Sequence, residues 1–380
     1  MILSVGDTTY LDYAKILSKR EGYGPQVRGG NGLLLHSALA VEPEQGQPLG
    51  LLWQKVWHRP HPEKPPAKEP PKQKKLRLAK ARKAKRSRTL EEKESYRWVE
   101  AMTTVEQQVD SSTRVIHVFD REGDIAEVFD QLNTLPHSGV VVRAAHNRSL
   151  KGDPHRLWEK LEAQPIEMTY EVELSETKNR KARSAKLAVR FCPIELRAPA
   201  RLAADRPLQI DAVYADEVDC PEGEEPVSWM LLTSEPVTTI EMAQTILRWY
   251  GYRWRVEEYH KLLKSGCQAE RYRLAAEGMK PLLGFLCVIA VELLALTYLK
   301  RTQPELPADK VLTPVQLQVL KAKSARLPKT LSVAWAVEAV ARLGGYLEHR
   351  RQTQIGIQVL WKGWAKLHDL VEGWQLAKQT

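Results

Sequence analysis

YGYRWRVEEYHKLLK, residues Tyr250 to Lys264, crowds aromatic, cationic and acidic side chains into a stretch that otherwise has the composition of a helix. At roughly 100° per residue, Arg253, Glu257, Lys261 and Lys264 fall within a sector of about 80°, and Tyr250 joins them if the helix runs through Gly251. Val256, Tyr259, Leu262 and Leu263 point the opposite way. One face is charged and the other is free to cover a sheet, which argues for helices layered on strands. Periodicity alone also fits an ordinary solvated helix, with Glu257 and Lys261 as an i, i+4 pair contributing about 0.2–0.5 kcal/mol. Glu258 lies about 100° round from Glu257 and is expected to be structural.

Working outward, the strand WMLLTS (Trp229 to Ser234) and a Thr238-x-x-Glu241 capping box lead into the helix IEMAQTILRWY. Gly251 marks a bend, and Ser265-Gly266 a stop. From about Leu150 to Ser228 the pattern is one of alternating strands (IEMTYEVEL, SAKLAVRFCPIEL, LQIDAVYADEV), which reads as a β-rich insertion. The chain opens with three strand patterns close together, MILSVGDTTYLDY, GLLLHSALAV and LGLLWQKVW, expected as an antiparallel meander. A helical stretch, Leu90 to Val109, the strand RVIHVFD ending on Asp120, a second helical stretch and the strand GVVVRAA follow. Strands followed by alternating helix and strand predict a mixed α/β sheet. Beyond about Pro281 the sequence is helical and rich in Leu and Ala. The expected division is 1–150 and 229–278 for two parts of one core, 151–228 for the insertion, and 279–380 for a C-terminal helical region.

The 380 residues include 57 Lys and Arg against 47 Asp and Glu, a net charge of +10 that points to a polyanionic partner such as nucleic acid. The four cysteines stand singly with no CxxC pair, so neither a disulfide framework nor a zinc site is indicated, and a reducing cytoplasm is expected. MILSV is too short for a secretory signal. Leu282 to Leu299 is long enough to span a bilayer, but Glu292 in its middle would cost about 2.5–3.5 kcal/mol there. A core or interface helix is the expected reading, with no membrane partner. Pro60 to Pro71 holds six prolines, and Lys72 to Arg88 ten Lys or Arg with no acid. This segment reads either as a solvated, partly disordered linker or as an arm lying along a phosphate backbone.

Asp7 follows the apolar run Ile2 to Val5, and Asp120 closes the strand Val115 to Phe119. Each, taken singly, is explained by turn capping. Together with Glu257 they make three carboxylates, oxygen ligands suited to Mg²⁺, beside cations that suit phosphate. Two such ions serve phosphodiester cleavage.

At this point the chain resembles the DDE transposases of bacterial insertion sequences, in the insertion-sequence-four branch with its Y-x2-R-x3-E-x6-K signature. Tyr250, Arg253, Glu257 and Lys264 satisfy every spacing, and DTT at Asp7 and DREGDI at Asp120 look like the family's two aspartate motifs. The resemblance implies an RNase H-like core in which Asp7, Asp120 and Glu257 bind two Mg²⁺ or Mn²⁺ ions. It implies cut-and-paste transposition: hydrolysis at the element's end, a hairpin intermediate, its reopening, and joining of the 3′ end to target DNA. Tyr250, Arg253 and Lys264 would grip phosphates, with Lys261 and Arg143 as further expected DNA contacts. Trp229 matches a family Trp that stacks on a base flipped from the hairpin. The C-terminal helices would form a homodimer that brings two DNA ends together, and the bacterial nucleoid would be its place of work. Asp7 lies six residues from Met1, so the family's helical end-binding domain is expected to be lacking. Two other functions fit the same residues: a non-catalytic regulator that dimerises with full-length transposase and inhibits it, and a general RNase H-like nuclease.

Overall fold

The computed structural model describes residues 1–14, 22–26, 29–61, 69–152, 154–174, 182–199, 201–202, 208–347 and 355–378, without the side chains of residues 85 and 86. In chain order its elements are β1 (Ile2–Asp12), β2 (Gly24–Pro25), β3 (Asn31–Val41), β4 (Pro48–Trp57), α1 (Pro71–Ser87), α2 (Tyr96–Gln108), β5 (Val115–Phe119), α3 (Ala126–Gln131), β6 (Ser138–Arg143), α4 (Leu157–Glu162), β7 (Met168–Leu174), β8 (Arg183–Leu196), β9 (Leu208–Val218) and β10 (Ser228–Thr233). Six helices follow: α5 (Ile240–Gly251), α6 (Trp254–Lys261), α7 (Ala276–Thr302), α8 (Pro314–Lys323), α9 (Val333–Leu343) and α10 (Ile357–Leu376). The strands form a mixed ten-stranded sheet in the order β2-β3-β1-β5-β6-β10-β9-β8-β7, with β4 on β3, so the α/β class expected from the sequence is the one adopted.

The chain divides into two compact units. The first comprises Met1–Asp7, Leu52–Gln54 and His61–Arg253, and the second Thr8–Leu51, Lys55–Pro60 and Trp254–Thr380. The expected boundaries near 150 and 228 both fall inside the first unit.

In the first unit β1 and β6 flank β5, both parallel to it, with Val5 opposite Val118 and Phe119 opposite Val142. VIHVF of β5 is buried at every position, as a strand covered on both faces must be. From β6 outward the sheet turns antiparallel through β10, β9, β8 and β7. The expected β-rich insertion therefore widens the sheet. Trp98 of α2 packs on Phe119 with ring centroids 4.7 Å apart. A Cβ on Gly6 would come within 2.9 Å of the Phe119 ring, so this glycine lets the ring lie against β1 one residue before Asp7.

In the second unit β3 is buried along all but its first residue, and Tyr13 and Tyr23 donate their hydroxyls to the Ala269 and Leu274 carbonyls (3.0 and 2.9 Å). α7 is long and apolar enough to cross a bilayer by length and composition, yet half of its most apolar window is buried within the protein. α9 and α10 meet at glycines: a Cβ on Gly363 would lie 1.8 Å from the Val340 carbonyl oxygen.

Two local readings are corrected. Pro71–Ser87, part of the segment read either as a partly disordered linker or as an arm lying along a phosphate backbone, is helix α1, which overturns the linker reading alone. Pro71 occupies the first helical turn, and the Lys, Arg, Leu, Ala and Gln that follow are all good helix formers, so propensity prevails over the missing apolar face. Residues 62–68 of that segment lie outside the described residues. The cap of α5 is Thr239, whose hydroxyl accepts from the Met242 N–H at 3.2 Å, one residue later than the Thr238 box predicts.

Candidate active site

The register of β1 on β5 is what brings the first two candidate residues together. Two residues beyond the Val5–Val118 pair, on both strands, come Asp7 and Asp120, and Asp120 continues β5 with an extended backbone (φ −80°, ψ −167°). The pairing ends at Val5–Val118; continued for two residues, with strands about 4.8 Å apart and side chains alternating faces, it directs Asp7 and Asp120 to the same face. Both are half-buried, within reach of a ligand. Asp120 also caps a 3-10 turn, Arg121–Gly123, through Oδ1, which accepts from the Glu122 N–H at 2.8 Å. A carboxylate has about four acceptor positions, so one cap leaves most of them for a ligand.

Arg253 places Nη1 3.9 Å from Asp7 Oδ2, and its side chain is only 10% exposed. It is held at the end of α5, where its N–H bonds to the Tyr250 carbonyl at 3.0 Å. Tyr250 is buried and meets the half-buried Trp229 of β10 edge to face, with centroids 5.4 Å apart. Arg143, at the end of β6, donates to the Ser228 carbonyl at 2.7 Å. The first unit thus brings Arg253 to Asp7 and Tyr250 to Trp229, with Asp120 just past the end of the strand next to β1; Arg143 lies opposite Leu231 on the strand that carries Trp229.

Glu257, Lys261 and Lys264 belong to the second unit. Helix α6 buries Val256 and Tyr259, and Leu262 and Leu263 are buried in the turn after it, while Lys261 is exposed and Glu257 and Lys264 are half-buried. A π-helical turn, Leu262–Gly266, closes the segment with the Cys267 N–H on the Leu262 carbonyl at 3.0 Å, and it carries Lys264. Such turns often sit at functional sites. Glu258 accepts the Tyr298 hydroxyl of α7, and Arg255 lies over the Tyr298 ring at 4.3 Å while donating to the Gly46 carbonyl at 3.0 Å. Burial first, then the hydrogen bond to Glu258, raises the Tyr298 phenol well above its ordinary pKa, despite the opposing Arg255 charge. His260, buried beside α6's apolar face, is pushed down to about 3 by burial, with the Lys264 charge adding to the shift.

The sequence gives no hint of Asp124. Its carboxylate is wholly buried and accepts from the Ala145 N–H (2.7 Å) and from Arg148 Nε (2.6 Å), while Arg148 Nη2 donates to the Asp124 carbonyl (2.7 Å). These bonds tie the loop that carries Asp120 to the chain leaving β6. Nearby, Arg201 makes a two-pronged bond to Glu127 (2.7 and 3.0 Å) that holds its carboxyl below the usual range against the opposing effect of burial.

Among the described residues no three His, Cys, Asp or Glu side chains are grouped as a metal-holding set. What the first unit offers is a pair of hard oxygen donors, and that fits Mg²⁺, which takes one or two carboxylates and completes its shell with water and substrate phosphate. No model of a known protein family matches the chain.

Proposed function

We propose that this chain is the catalytic core of a DDE-type DNA transposase, one that hydrolyses a phosphodiester at a DNA end and joins the freed 3′ end to target DNA. The observation that carries the reading is the parallel pairing of β1 and β5, which puts Asp7 and Asp120 each two residues past the last pair, with Arg253 close to Asp7. A sheet whose first strand lies between β3 and β5 and runs parallel to β5 supports an RNase H-like core. Asp7 and Asp120 are the residues of the first unit that would hold Mg²⁺ or Mn²⁺, and the resemblance to the transposases implies Glu257 as their third ligand and two ions. When bound, these supply an activated water and a stabilised leaving oxygen.

The remaining work falls to the chain's own side chains. Arg253, buried at the end of α5, offers a fixed guanidinium fork to a phosphate oxygen. Tyr250 packs against Trp229, and the half-buried Trp ring would stack on an unpaired base at a hairpin tip; base–aromatic stacking is worth about 1–3 kcal/mol. Arg143, Lys261 and Lys264 supply cations for the flanking backbone, and a second copy joined through α7–α10 would bring two ends together. The test uses supercoiled plasmid and Mg²⁺. The protein should nick it and, given a 3′ hydroxyl end, join that end to the plasmid, whereas Asp120→Asn and Glu257→Gln should do neither. Nicking at the same rate by both variants would overturn the reading, and nicking without joining would make the protein a nuclease.

A further inference from the structure

Helix α1 is unlike the other helices of the chain. Every described side chain on it is exposed, so no tertiary packing holds it, and Lys72 to Arg88 carries ten Lys or Arg with no acid. Like charges recur at i, i+3 (Lys72 and Lys75, Arg77 and Lys80, Lys80 and Lys83), an arrangement that opposes helix formation in water. A two-pronged bond from Arg77 Nε and Nη2 to Glu69 (2.8 Å each) ties its second turn to the chain just before it. A helix polar all round and repelling itself along its length is completed by a polyanion.

We propose that α1 is a grip for the phosphate backbone of duplex DNA. Lys74, Lys75, Arg82 and Lys83 line one surface depression. Nine residues separate the first from the last, a rise of about 14 Å. Over that length one DNA strand offers about four phosphates at about 3.4 Å of axis each, one for every cation in the depression. The helix has no apolar face with which to enter a bilayer, since its two leucines, Leu76 and Leu78, lie about 200° apart. The choice of DNA rests on the transposase reading above; the cationic face itself does not.

The experiment measures binding of the full chain to a fluorescent duplex without divalent metal, as a function of salt. Each phosphate contact contributes a slope of about −0.9 in log K against log salt. The variant Lys74→Gln/Lys75→Gln/Arg82→Gln/Lys83→Gln should therefore lose about 3.6 from the slope of the unmodified chain. Over a fourfold rise in salt the unmodified chain then loses about 150-fold more affinity than the variant. All four residues are exposed, so the two proteins should melt together, and the unmodified chain should gain helical circular dichroism on the duplex. A slope change below about 1, or loss of binding to phosphatidylserine vesicles with DNA binding intact, overturns the proposal. Asp120→Asn serves as the second arm. If the fourfold variant loses the slope and the unmodified chain never cleaves, the grip stands while the transposase reading fails; if the unmodified chain cleaves, Asp120→Asn does not, and the fourfold variant keeps the full slope, the reverse holds.

Discussion

Replacing Asp124 with Ala should be among the most destabilising single changes in the first unit, although Asp124 is not a proposed ligand. The substitution removes a carboxylate with no exposed surface and leaves Arg148, 17% exposed, without its anion and the Ala145 N–H without an acceptor. Breaking a buried ion pair from one side costs about 3–5 kcal/mol, and the partial exposure of Arg148 places the loss toward the lower end of that range. For a unit of roughly 200 residues, each kcal/mol moves Tm by about 2–4 °C, so a loss of about 3–4 kcal/mol lowers it by about 6–16 °C. Asp124→Asn keeps an acceptor oxygen and should lose less, about 1–3 kcal/mol. Asp120→Asn is the contrast, since Asn caps as well as Asp and the cost should stay under about 1 kcal/mol. Urea unfolding followed by tryptophan fluorescence reads all three. A loss below about 1 kcal/mol for Asp124→Ala would refute the claim that this pair anchors the loop carrying Asp120.

Acid should weaken the fold before the carboxylates titrate. His117, wholly buried on β5, is pushed down to about 3 by burial, and His260 likewise to about 3. Both stay neutral when folded and protonate near 6.5 when unfolded. The unfolded state therefore binds more protons below that value, and stability present above about pH 6.5 is lost as pH falls, by about 1.4 kcal/mol per unit for each. Denaturant midpoints between about pH 6 and 5 should show this slope, and His117→Gln should remove its share; an unchanged slope would count against the assignment. Glu257→Gln should abolish plasmid nicking with the melting curve unmoved, whereas Glu258→Gln, which loses a charge beside Tyr298 and Arg255, should nick normally and melt slightly earlier. Equal loss of nicking in both would dissolve the distinction between these neighbours. Gly363→Ala should cost about 3 kcal/mol, because its Cβ has no room against the Val340 carbonyl, while Gly373→Ala on the same helix, with open space around it, should be neutral or stabilising. Thermal melts that rank these two the other way would contradict the close α9–α10 crossing.

The apolar runs that carry Asp7 and Asp120 were legible, although β1 continues past Asp7 to Asp12 instead of stopping there, and so were the two faces of α6, because charge and burial alternate at helical spacing. Their partners in space were not. Ile2 pairs with Val115 across more than a hundred residues, and nothing in either run specifies that the other is its neighbour or that the pairing is parallel. The Asp124–Arg148 tie has the same character: an acid inside a motif and an arginine two dozen residues on carry no local sign of each other, and only the folded loop makes the bond. α1 was hidden by the opposite fault, a local signal read too strongly. Its prolines and its charge suggest a linker, yet the prolines stop at Pro71, where proline starts a helix well, and no residue after it breaks one.

The first two cases turn on the pairing of distant segments, and that pairing is also where the proposed chemistry is decided. A carboxylate on or just beyond a strand is commonplace, and two of them would make the proposed site only because β1 and β5 run the same way. Had β1 and β5 been antiparallel, the end of one would meet the start of the other, and Asp7 and Asp120 would stand several residues apart along the sheet. The parallel register is thus the physical fact on which the proposed activity depends. A substitution that shifts it would abolish nicking while sparing both carboxylates. Gly6→Val is the direct choice: its Cβ must displace the Phe119 ring one residue from each carboxylate, so nicking should fall well before the protein unfolds. A Gly6→Val protein that nicks at the unmodified rate would show that cleavage does not depend on the alignment of Asp7 with Asp120.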